Sequence, residues 1–478
     1  MMNQPKVNLA FDIGASSGRI IAGFYQNNKI HTEEVYRFKN EPIIVNNKRC
    51  WDLKEIYHQL TLGLKAASSR YRNIASIGVD TWGLDYCLLD DEMNPLHTPI
   101  NYRDDRTEGI PEELPIPFES FYDKTGIQFM RFNTVYQLYS DFKENPDYYQ
   151  KAAHLLFIPD LINHFLTGSS LMNEYTVATT SQLINAYTKN WDDELIEQLG
   201  FPKRIFKDII SPGETAGLLR HDLAEETGIK PIPVISVGSH DTASAVAGIP
   251  LRSKESAYLI CGSWSLIGIE TESPIITPES LTYNLTNEGG VFNTFRVLKN
   301  INGTYLLQQL KKCYNKSSHD AIDFPDIIQA AKDAVNRHFI IEPNHSLFMS
   351  SDHIINDIRE YCRSNKQGIP NTLGEYAIAI YNGLTNEFSQ QIKHLEAVLN
   401  HPIETIHMVG GGSQDQLLCQ ITADLTQKKV ISGPVESSAL GNICMQMYAL
   451  NQLSSLSEIR QLILNSSHLN VYEPTLTT

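Results

Sequence analysis

Residues 7–24 are the segment that most constrains how this chain can fold. They read Val-Asn-Leu-Ala-Phe-Asp-Ile-Gly-Ala-Ser-Ser-Gly-Arg-Ile-Ile-Ala-Gly-Phe, with apolar, β-prone runs on both sides of a turn of small residues. This pattern predicts a β-hairpin. We expect Gly14 and Gly18 to allow positive φ and a close approach of the backbone to a ligand. An ordinary tight hairpin without a ligand is the alternative, because short glycine motifs often occur by chance.

The turn of this hairpin has the chemistry of a phosphate-binding site. Successive backbone N–H groups in such a turn form a concave surface that suits phosphate oxygens, and Ser16 and Ser17 add hydroxyl donors. Asp12 lies at the end of the first predicted strand. A carboxylate beside a phosphate is favourable only with a cation between them, and Mg²⁺ is the usual cation. The hairpin therefore predicts a Mg²⁺-dependent phosphate site, with a capping aspartate in a plain turn as the alternative.

Length, charge and cysteine usage exclude several classes of protein. A chain of 478 residues is long enough for about two to four domains. The net charge of −16 argues against nucleic acid or anionic membrane as a partner, because such partners need Lys and Arg to replace their counterions. Seven cysteines occur without a CxxC pair, so free thiols in a reducing cytoplasm are expected. Neither a signal peptide nor an apolar run of about 18 residues is visible, so we expect a cytoplasmic protein.

A second strand is predicted to end in a possible ligand site. Ile77–Asp80 is a buried type of strand that ends on a carboxylate, and a bend follows at Thr81–Gly83. Gly83 would let a ligand lie against the backbone, and Trp82 would form an apolar wall. A surface hairpin with a buried tryptophan is the alternative.

A third strand is predicted at 231–238, and a helix-like run of small residues begins near Asp241. Helix N-termini favour negative charge and phosphate groups, so Asp241 is a candidate functional carboxylate, with a simple N-cap as the alternative. Ser239, His240 and Asp241 do not form a catalytic triad, because adjacent residues cannot adopt that geometry. His240 is interpreted as a packing or substrate-side residue.

The second half of the chain repeats this organisation. Residues 257–270 again predict a strand, a small-residue turn and a strand, with Gly262 in the position of Gly14. The segment 298–310 predicts the start of a helix, and 373–400 predicts a long amphipathic helix. The end of the chain, from about Asn465, is expected to be frayed. Three consecutive glycines, at 410–412, follow a predicted strand and would let a flat ring lie on the backbone. Two such halves predict a duplicated architecture that holds a nucleotide between them.

The motifs together resemble the sugar kinases of the actin, hexokinase and Hsp70 superfamily, and within it the FGGY carbohydrate kinases. No Walker A sequence is present. The resemblance covers roughly residues 6 to 450 and is specific because the motifs lie in the family's order. The stretches that carry it are Asp12-Ile-Gly-Ala-Ser-Ser-Gly-Arg19, Val79-Asp-Thr-Trp-Gly83, Ser239-His-Asp-Thr-Ala-Ser244, Asn287-Glu-Gly-Gly290, Val297-Leu-Lys-Asn300 and Gly410-Gly-Gly-Ser-Gln-Asp415.

The resemblance implies an α/β fold of two actin/hexokinase-like (ribonuclease H-like) domains with a central cleft. Residues 1–248 would form the N-terminal domain, with the sugar site, the catalytic aspartate and part of the phosphate site. Residues 249–478 would form the C-terminal domain, with the nucleotide site. ATP and Mg²⁺ would be required, and the protein would be a monomer or a homodimer.

The resemblance also implies roles for individual residues. Asp241 would be the general base, and Asp12 would position Mg²⁺ through water. Ser263 stands where this family usually has threonine and retains the hydroxyl, and Gly411 would face adenine. The implied ATP-binding residues are Ala15, Ser16, Ser17, Gly18, Arg19, Ser263, Gln308 and Gly411. The implied substrate-binding residues are Gly83, His240, Asp241, Thr242 and Asn300.

The chemistry of phosphoryl transfer fits these residues. The protein must position the reactants and neutralise charge, and a carboxylate can accept the proton of the sugar hydroxyl. Domain closure would expel water and suppress hydrolysis. The resemblance implies L-rhamnulose as the sugar, with L-fuculose, xylulose or glycerol as alternatives. An ATP-driven binding protein, such as a chaperone or a filament, is the alternative of a different class. An NAD-linked oxidoreductase is excluded, because no GxGxxG follows an early strand.

Overall fold

The structure, a computed structural model, describes residues 5–169, 171–317, 321–349 and 353–475. It has mixed α/β secondary structure. The strands are β1 (Val7–Ile13), β2 (Ser17–Gln26), β3 (Lys29–Lys39), β4 (Ile43–Val45), β5 (Lys48–Cys50), β6 (Ile74–Thr81), β7 (Tyr86–Leu89), β8 (His154–Phe157), β9 (Asn173–Glu174), β10 (Ile184–Asn185), β11 (Asn190–Trp191), β12 (Ile209–Ile210), β13 (Thr215–Leu218), β14 (Pro233–Ile235), β15 (Ser256–Cys261), β16 (Trp264–Thr271), β17 (Thr286–Gly289), β18 (Phe295–Asn302), β19 (Thr405–Val409), β20 (Lys429–Ser432) and β21 (Asn470–Tyr472). The helices are α1 (Leu53–Arg70), α2 (Phe118–Thr125), α3 (Thr134–Glu144), α4 (Tyr148–Lys151), α5 (Ile158–Thr167), α6 (Tyr175–Ala178), α7 (Asp193–Gln198), α8 (His221–Thr227), α9 (Asp241–Ala247), α10 (Pro278–Thr282), α11 (Tyr305–Ser317), α12 (Phe324–Asp333), α13 (Ile354–Ser364), α14 (Leu373–Leu399), α15 (Gln416–Thr426), α16 (Ser437–Ala449) and α17 (Leu456–Ser466).

The chain divides into two compact units, and neither is continuous in the sequence. Unit 1 contains Met1–Pro250, Glu270–Val297 and Ser437–Ser467. Unit 2 contains Leu251–Ile269, Leu298–Glu436 and His468–Thr478. No helix in the described part of the chain is long and apolar enough to cross a membrane.

The sheet of unit 1 has the strand order β13-β14-β6-β1-β2-β3. Its centre is the hairpin strand β1, which pairs antiparallel with β2 and parallel with β6. β1 is buried along its whole length, because it is covered on both faces. The predicted hairpin at 7–24 is thus confirmed, and it forms the middle of this sheet.

The sheet of unit 2 repeats this arrangement, with the neighbouring strands β18-β16-β15-β19-β20-β21. β15 pairs antiparallel with β16 and parallel with β19, which in turn pairs parallel with β20. In each unit, therefore, a central hairpin strand has an antiparallel partner on one side and a parallel partner on the other. The predicted duplication is present in the strand topology.

The longer helices follow local sequence signals. Asp52 caps α1 by accepting a hydrogen bond from the backbone N–H of Glu55, and its buried residues recur with helical spacing. Thr372 and Glu375 form a capping box at the start of α14, and Asn400 ends that helix in the left-handed conformation. The helix expected from Leu373 to Asn400 is therefore confirmed.

Helices α16 and α17 come late in the sequence but complete the core of unit 1. A buried apolar cluster combines residues from the β1–β2 hairpin, from the strand before α9, and from both late helices. Its members include Ala10, Ile21, Ile235, Val237, Leu440, Ile443, Met445, Ile459 and Ile463. At the closest point, a Cβ on Gly441 would lie 1.9 Å from the backbone oxygen of Ser244, so only glycine permits this packing of α16 on α9.

Two local predictions are wrong. Residues 298–302 belong to strand β18 and not to a helix, which begins at Tyr305. The position of β18 beside β16 in the sheet outweighs the local preference. The end of the chain is not frayed from Asn465, because β21 pairs with β20 through Tyr472.

Candidate active site

The β1–β2 turn places a carboxylate and a guanidinium side by side. Asp12 and Arg19 are paired across the two strands, and Arg19 Nη2 lies 2.5 Å from Asp12 Oδ2. The turn between them closes through the N–H of Gly14, which donates to the oxygen of Ser17 at 2.9 Å. The structure therefore brings together the residues that the sequence assigns to the phosphate site, Asp12, Ala15, Ser16, Ser17, Gly18 and Arg19.

The reason for glycine in this turn differs from the expectation. Neither Gly14 nor Gly18 has positive φ. Instead, a Cβ on Gly18 would lie 2.1 Å from the ring of Phe38 on β3. Gly18 is thus required by the packing of a neighbouring aromatic ring, and the expectation of positive φ at these two positions is wrong.

A second carboxylate, Asp80, lies beside Asp12. The two residues are register partners on the parallel strands β1 and β6, and they share one face of the sheet. Asp80 is fully buried, and its Oδ1 has no hydrogen-bond partner among the described residues. Burial raises the pKa of Asp80 well above its usual value, and the carboxylates of Asp12 and Asp241 raise it further.

A buried amide network supports Asp80. Asn442 Nδ2, on α16, donates to Asp80 Oδ2 at 2.5 Å. Gln446, one turn later, donates to Asn442 Oδ1 at 2.6 Å and to the backbone oxygen of Leu9 at 3.0 Å. Ser76 donates to Gln446 Oε1 at 2.7 Å. Because Asn442 and Gln446 are fully buried, each depends on these partners to offset its desolvation.

Asp241 is the first residue of α9, and His240 is the cap residue before it. His240 forms an isolated parallel bridge with Thr81, so the start of α9 lies next to the end of β6. The Asp241 side chain is 27% exposed. Burial raises its pKa to about 6, with His240 opposing and Asp12 adding to the shift. An ionisation near neutral pH suits a general base.

A fully buried guanidinium, Arg296 of β18, lies next to this helix start. Arg296 Nη1 donates to Thr242 Oγ1 at 2.5 Å, and its Nε donates to the oxygen of Gly289 at 2.8 Å. Its charge is balanced by Glu288, whose Oε2 lies 3.1 Å from Nη2. The imidazole of His240 adjoins this pair, with its Nδ1 3.2 Å from Glu288 Oε2.

Gly83 approaches His240 from the other side. A Cβ on Gly83 would lie 3.0 Å from the side chain of Thr180 and 3.3 Å from His240 Nε2. The next residue, Leu84, has a φ of 76°, which is unusual for a residue with a side chain. This conformation lets the Leu84 N–H donate to Thr180 Oγ1 at 3.0 Å. The structure thus brings together Gly83, His240, Asp241 and Thr242, as the sequence predicts.

Behind Gly83, the buried carboxylate of Asp85 holds two tryptophans. Asp85 Oδ2 accepts hydrogen bonds from the indole N–H of Trp51 at 2.6 Å and of Trp82 at 3.0 Å. Burial raises the pKa of Asp85 to about 6. The strand after it, β7, pairs with β8 and does not return along β6, so the alternative of a surface hairpin is wrong.

The other three predicted ATP-binding residues, Ser263, Gln308 and Gly411, lie in unit 2. Gln308 Nε2 lies 3.5 Å from Ser263 Oγ. Gly411 is in a short 3₁₀ turn after β19, between two glycines that pack on the end of β15. A Cβ on Gly410 would lie 2.9 Å from the oxygen of Cys261, and one on Gly412 would lie 2.6 Å from its Cβ. A Cβ on Gly411 would meet nothing within 4 Å.

Asn300, predicted in the sugar site, is a partly buried residue of β18 in unit 2. The other four predicted sugar-site residues are in unit 1. Next to Asn300, burial lowers the pKa of Lys299 to about 8. The assignment of Asn300 to the sugar site stays a prediction.

Sequence reasoning gave no role to several residues of this site. The missed residues are Asp80, Asp85, Glu288, Arg296 and Asn442. Glu288 lies within the motif Asn287-Glu-Gly-Gly290, and Asp80 is the carboxylate at the end of a predicted strand. Arg296 and Asn442 left no comparable signal, because their partners are distant in the sequence.

Comparison with known proteins identifies the class. The chain belongs to the FGGY family of carbohydrate kinases: the N-terminal domain model of this family matches residues 7–248, and the C-terminal domain model matches residues 257–450. The chain is thus an ATP-dependent sugar kinase, and the predicted resemblance is confirmed. Its fold agrees, since a gluconate kinase from Lactobacillus acidophilus superimposes with a TM-score of 0.80 at 18% identity, over 99% of this chain and 94% of that one.

Individual relatives are more specific. The chain is 43% identical to a protein named rhamnulokinase from Oceanobacillus iheyensis, over 97% of this chain and 98% of the relative. It is 39% identical to a rhamnulokinase from Halalkalibacterium halodurans, with the same coverage of both chains. The alternative of a chaperone or filament protein is not supported by these relatives.

Proposed function

We propose that this kinase transfers the γ-phosphate of ATP to L-rhamnulose, giving ADP and L-rhamnulose 1-phosphate. The observation that carries the proposal is the similarity to proteins named rhamnulokinase, at 37 to 43% identity over 97% of the chain. The arrangement around Asp241 supports the reaction type, because a carboxylate of raised pKa lies beside the phosphate-type hairpin in unit 1.

In this proposal Asp241 is the general base. Its carboxylate accepts the proton from the sugar hydroxyl as that oxygen bonds to phosphorus and the bond from phosphorus to the ADP oxygen breaks. A pKa of about 6 leaves most of the carboxylate ionised at neutral pH. Gly83, His240, Thr242 and Asn300 bind the sugar.

The hairpin residues 15–19 bind the phosphates, with Mg²⁺ held through water by Asp12. No group of three or more His, Cys, Asp or Glu in the described part of the chain forms a metal cage by itself. The residues nevertheless fit Mg²⁺, which typically uses one or two carboxylates, waters and substrate phosphates. The unpartnered Oδ1 of Asp80 beside Asp12 is suited to a water ligand of the ion. When bound, Mg²⁺ would neutralise charge that develops on the phosphoryl oxygens.

The remaining nucleotide contacts are proposed in the C-terminal part of the chain. Ser263 and Gln308 contribute polar groups towards ATP, and adenine lies against Gly411, where the backbone leaves open space. In this proposal residues 1–248 supply the sugar site apart from Asn300, the catalytic aspartate and part of the phosphate site. Residues 249–478 supply the nucleotide site, and the division of the family models supports this arrangement.

The deciding experiment is an ADP-release assay with Mg²⁺ and a panel of L-rhamnulose, L-fuculose, D- and L-xylulose and glycerol. We expect the highest kcat/KM for L-rhamnulose, and phosphorus NMR of the product should identify a 1-phosphate. A higher kcat/KM for another sugar would replace L-rhamnulose by that sugar while leaving the kinase assignment intact.

We also propose a cytoplasmic location and a monomer or homodimer. All seven cysteines lie in the described part of the chain, and none is disulfide-bonded, as expected for a reducing compartment. Cell fractionation and light scattering on the purified protein test these two points.

A further inference from the structure

Arg296 is a fully buried cation that the proposed reaction does not yet use. Burying a charge is costly unless it is paired and hydrogen-bonded. Arg296 meets this condition through Glu288, the backbone oxygen of Gly289 and the hydroxyl of Thr242. Since Thr242 adjoins the predicted base, the orientation of this guanidinium has consequences for the site.

The hydrogen-bond directions around His240 follow from the chemistry of arginine. A guanidinium only donates, so the Thr242 hydroxyl accepts from Arg296 and its own hydrogen is available to another acceptor. His240 Nδ1 lies 3.2 Å from that hydroxyl oxygen and 3.3 Å from Arg296 Nη2. Two donors therefore face Nδ1.

One acceptor also faces Nδ1, because Glu288 Oε2 lies 3.2 Å away. That oxygen forms an ion pair with Arg296 Nη2 at 3.1 Å, but neither this contact nor the contact to Nδ1 has the geometry of a hydrogen bond. Two donors and one acceptor thus surround Nδ1, and this arrangement favours Nδ1 as a hydrogen-bond acceptor. In a neutral imidazole the hydrogen then lies on Nε2.

The other ring nitrogen faces the predicted sugar site. His240 Nε2 lies 3.6 Å from Asp241 Oδ1, too far for a direct hydrogen bond. It also lies 3.3 Å from the place of a Cβ on Gly83. An Nε2–H group would thus be a donor between the glycine and the base.

We propose that Arg296 is a positioning residue that acts through Thr242 to hold His240 as the Nε2–H tautomer. His240 then donates to a sugar oxygen that neighbours the hydroxyl deprotonated by Asp241. The group recognised is an oxygen lone pair on the acceptor sugar, whether carbonyl, ring or hydroxyl oxygen. This inference rests on the proposed sugar kinase function. It adds that His240 is the donor, and the sugar oxygen the acceptor, of the hydrogen bond between them.

Two substitutions of His240 separate its two nitrogens. In His240→Gln the side-chain amide takes the place of Nε2, whereas in His240→Asn it takes the place of Nδ1. We expect kcat/KM for the sugar to fall about tenfold in the glutamine variant and about a hundredfold or more in the asparagine variant, because a lost donor costs about 1–3 kcal/mol. The KM for ATP should stay within about twofold in both. Equal losses, or a more active asparagine variant, would overturn the proposal.

The tautomer itself is measured by ¹⁵N NMR of the histidine-labelled, full-length protein, with the His240 signals assigned by their loss in His240→Gln. We expect a protonated Nε2 and an unprotonated Nδ1 in the wild type. Thr242→Val, which removes the hydroxyl, should shift this signal towards a mixture of tautomers, whereas Thr242→Ser should preserve it. A wild-type hydrogen on Nδ1, directed at Glu288, would refute the inference.

The NMR experiment requires no sugar, so its result is independent of the substrate panel. If the wild type phosphorylates none of the sugars, the proposed function fails whatever the tautomer. If the wild type is active but His240 carries its hydrogen on Nδ1, only the present inference fails.

Discussion

For Asp241, the sequence predicts the position of the residue but not the properties of its carboxylate. Its place between a strand and a helix follows from the local pattern of small residues. Its raised pKa does not, because that depends on burial and on Asp12, more than two hundred residues away. For the same reason Arg296, which touches Thr242 across 54 positions, could not be assigned from the sequence.

Replacing Asp241 by Asn should abolish turnover while leaving ATP binding intact. Without a carboxylate the acceptor hydroxyl has no base, and we expect kcat to fall by about 10²- to 10⁴-fold. ATP affinity, measured by calorimetry, should change little, because the amide is nearly isosteric. Thermal denaturation is the control for folding. A folded variant with normal turnover would remove Asp241 from the mechanism.

The raised pKa of Asp241 also predicts the pH dependence of the wild type. A general base works when deprotonated, and the pKa of this carboxyl is raised to about 6. We therefore expect kcat/KM for the sugar to reach a plateau above that pH and to fall about tenfold per pH unit below it. A profile that stays flat down to pH 5 in the folded enzyme would contradict this assignment.

Asn442 offers a prediction about stability. Asn442→Ala would leave Asp80 Oδ2 and the Gln446 amide without their buried partner. We expect a loss of about 1–3 kcal/mol in the free energy of unfolding, measured with urea. Asn465→Ala is the matched control, because that side chain is exposed and its loss should cost less than about 0.5 kcal/mol. Equal effects of both changes would show that the buried network is not important.

At the level of secondary structure elements, predictions held where the signal is local. The β1–β2 hairpin, the β15–β16 hairpin and helix α14 were all evident, because alternation, periodicity and caps are encoded within each segment. The interpretation of 298–302 as helix failed because a strand neighbour, β16, decided the outcome. The turn at Gly18 was found for the wrong reason, since Phe38 on another strand requires the glycine.

The glycines after β19 provide a matched pair of substitutions. Gly411→Ala meets open space and should leave thermal stability unchanged, but should raise the KM for ATP if adenine lies there. Gly412→Ala places a Cβ 2.6 Å from Cys261 Cβ and should lower the free energy of unfolding by about 1–3 kcal/mol. Melting curves and ATP titrations measure the two effects. An unchanged KM for ATP in a folded Gly411→Ala variant would exclude adenine from this surface.

For the whole molecule, the duplicated topology was predictable because two similar hairpins begin the two halves. The discontinuity of unit 1 was not, since nothing in residues 437–467 indicates that they complete the core around β1. Apolar helices can pack on many surfaces, and only the tertiary structure selects one. The division at residue 248 therefore stays a prediction about which residues form the sugar site and which form the nucleotide site. The two compact units instead group the residues that pack together.

A fragment of residues 1–248 should not fold on its own. It lacks α16 and α17, which cover apolar residues such as Ala10 and Ile21 and supply Asn442 to Asp80. We expect a molten or aggregating product without a cooperative melting transition, in contrast to the full chain. Calorimetry and near-UV circular dichroism make the comparison. Cooperative unfolding of the fragment would show that the late helices are dispensable.

The same discontinuity has a consequence for biosynthesis. More than four hundred residues separate the β1–β2 hairpin from α16, which covers it, so the hairpin is synthesised long before this helix. Until α16 is synthesised, the apolar residues of the hairpin lack the helix that buries them. Chaperones bind exposed apolar surface of this kind. We therefore expect the predicted catalytic site to mature only after residues 437–467 have been synthesised.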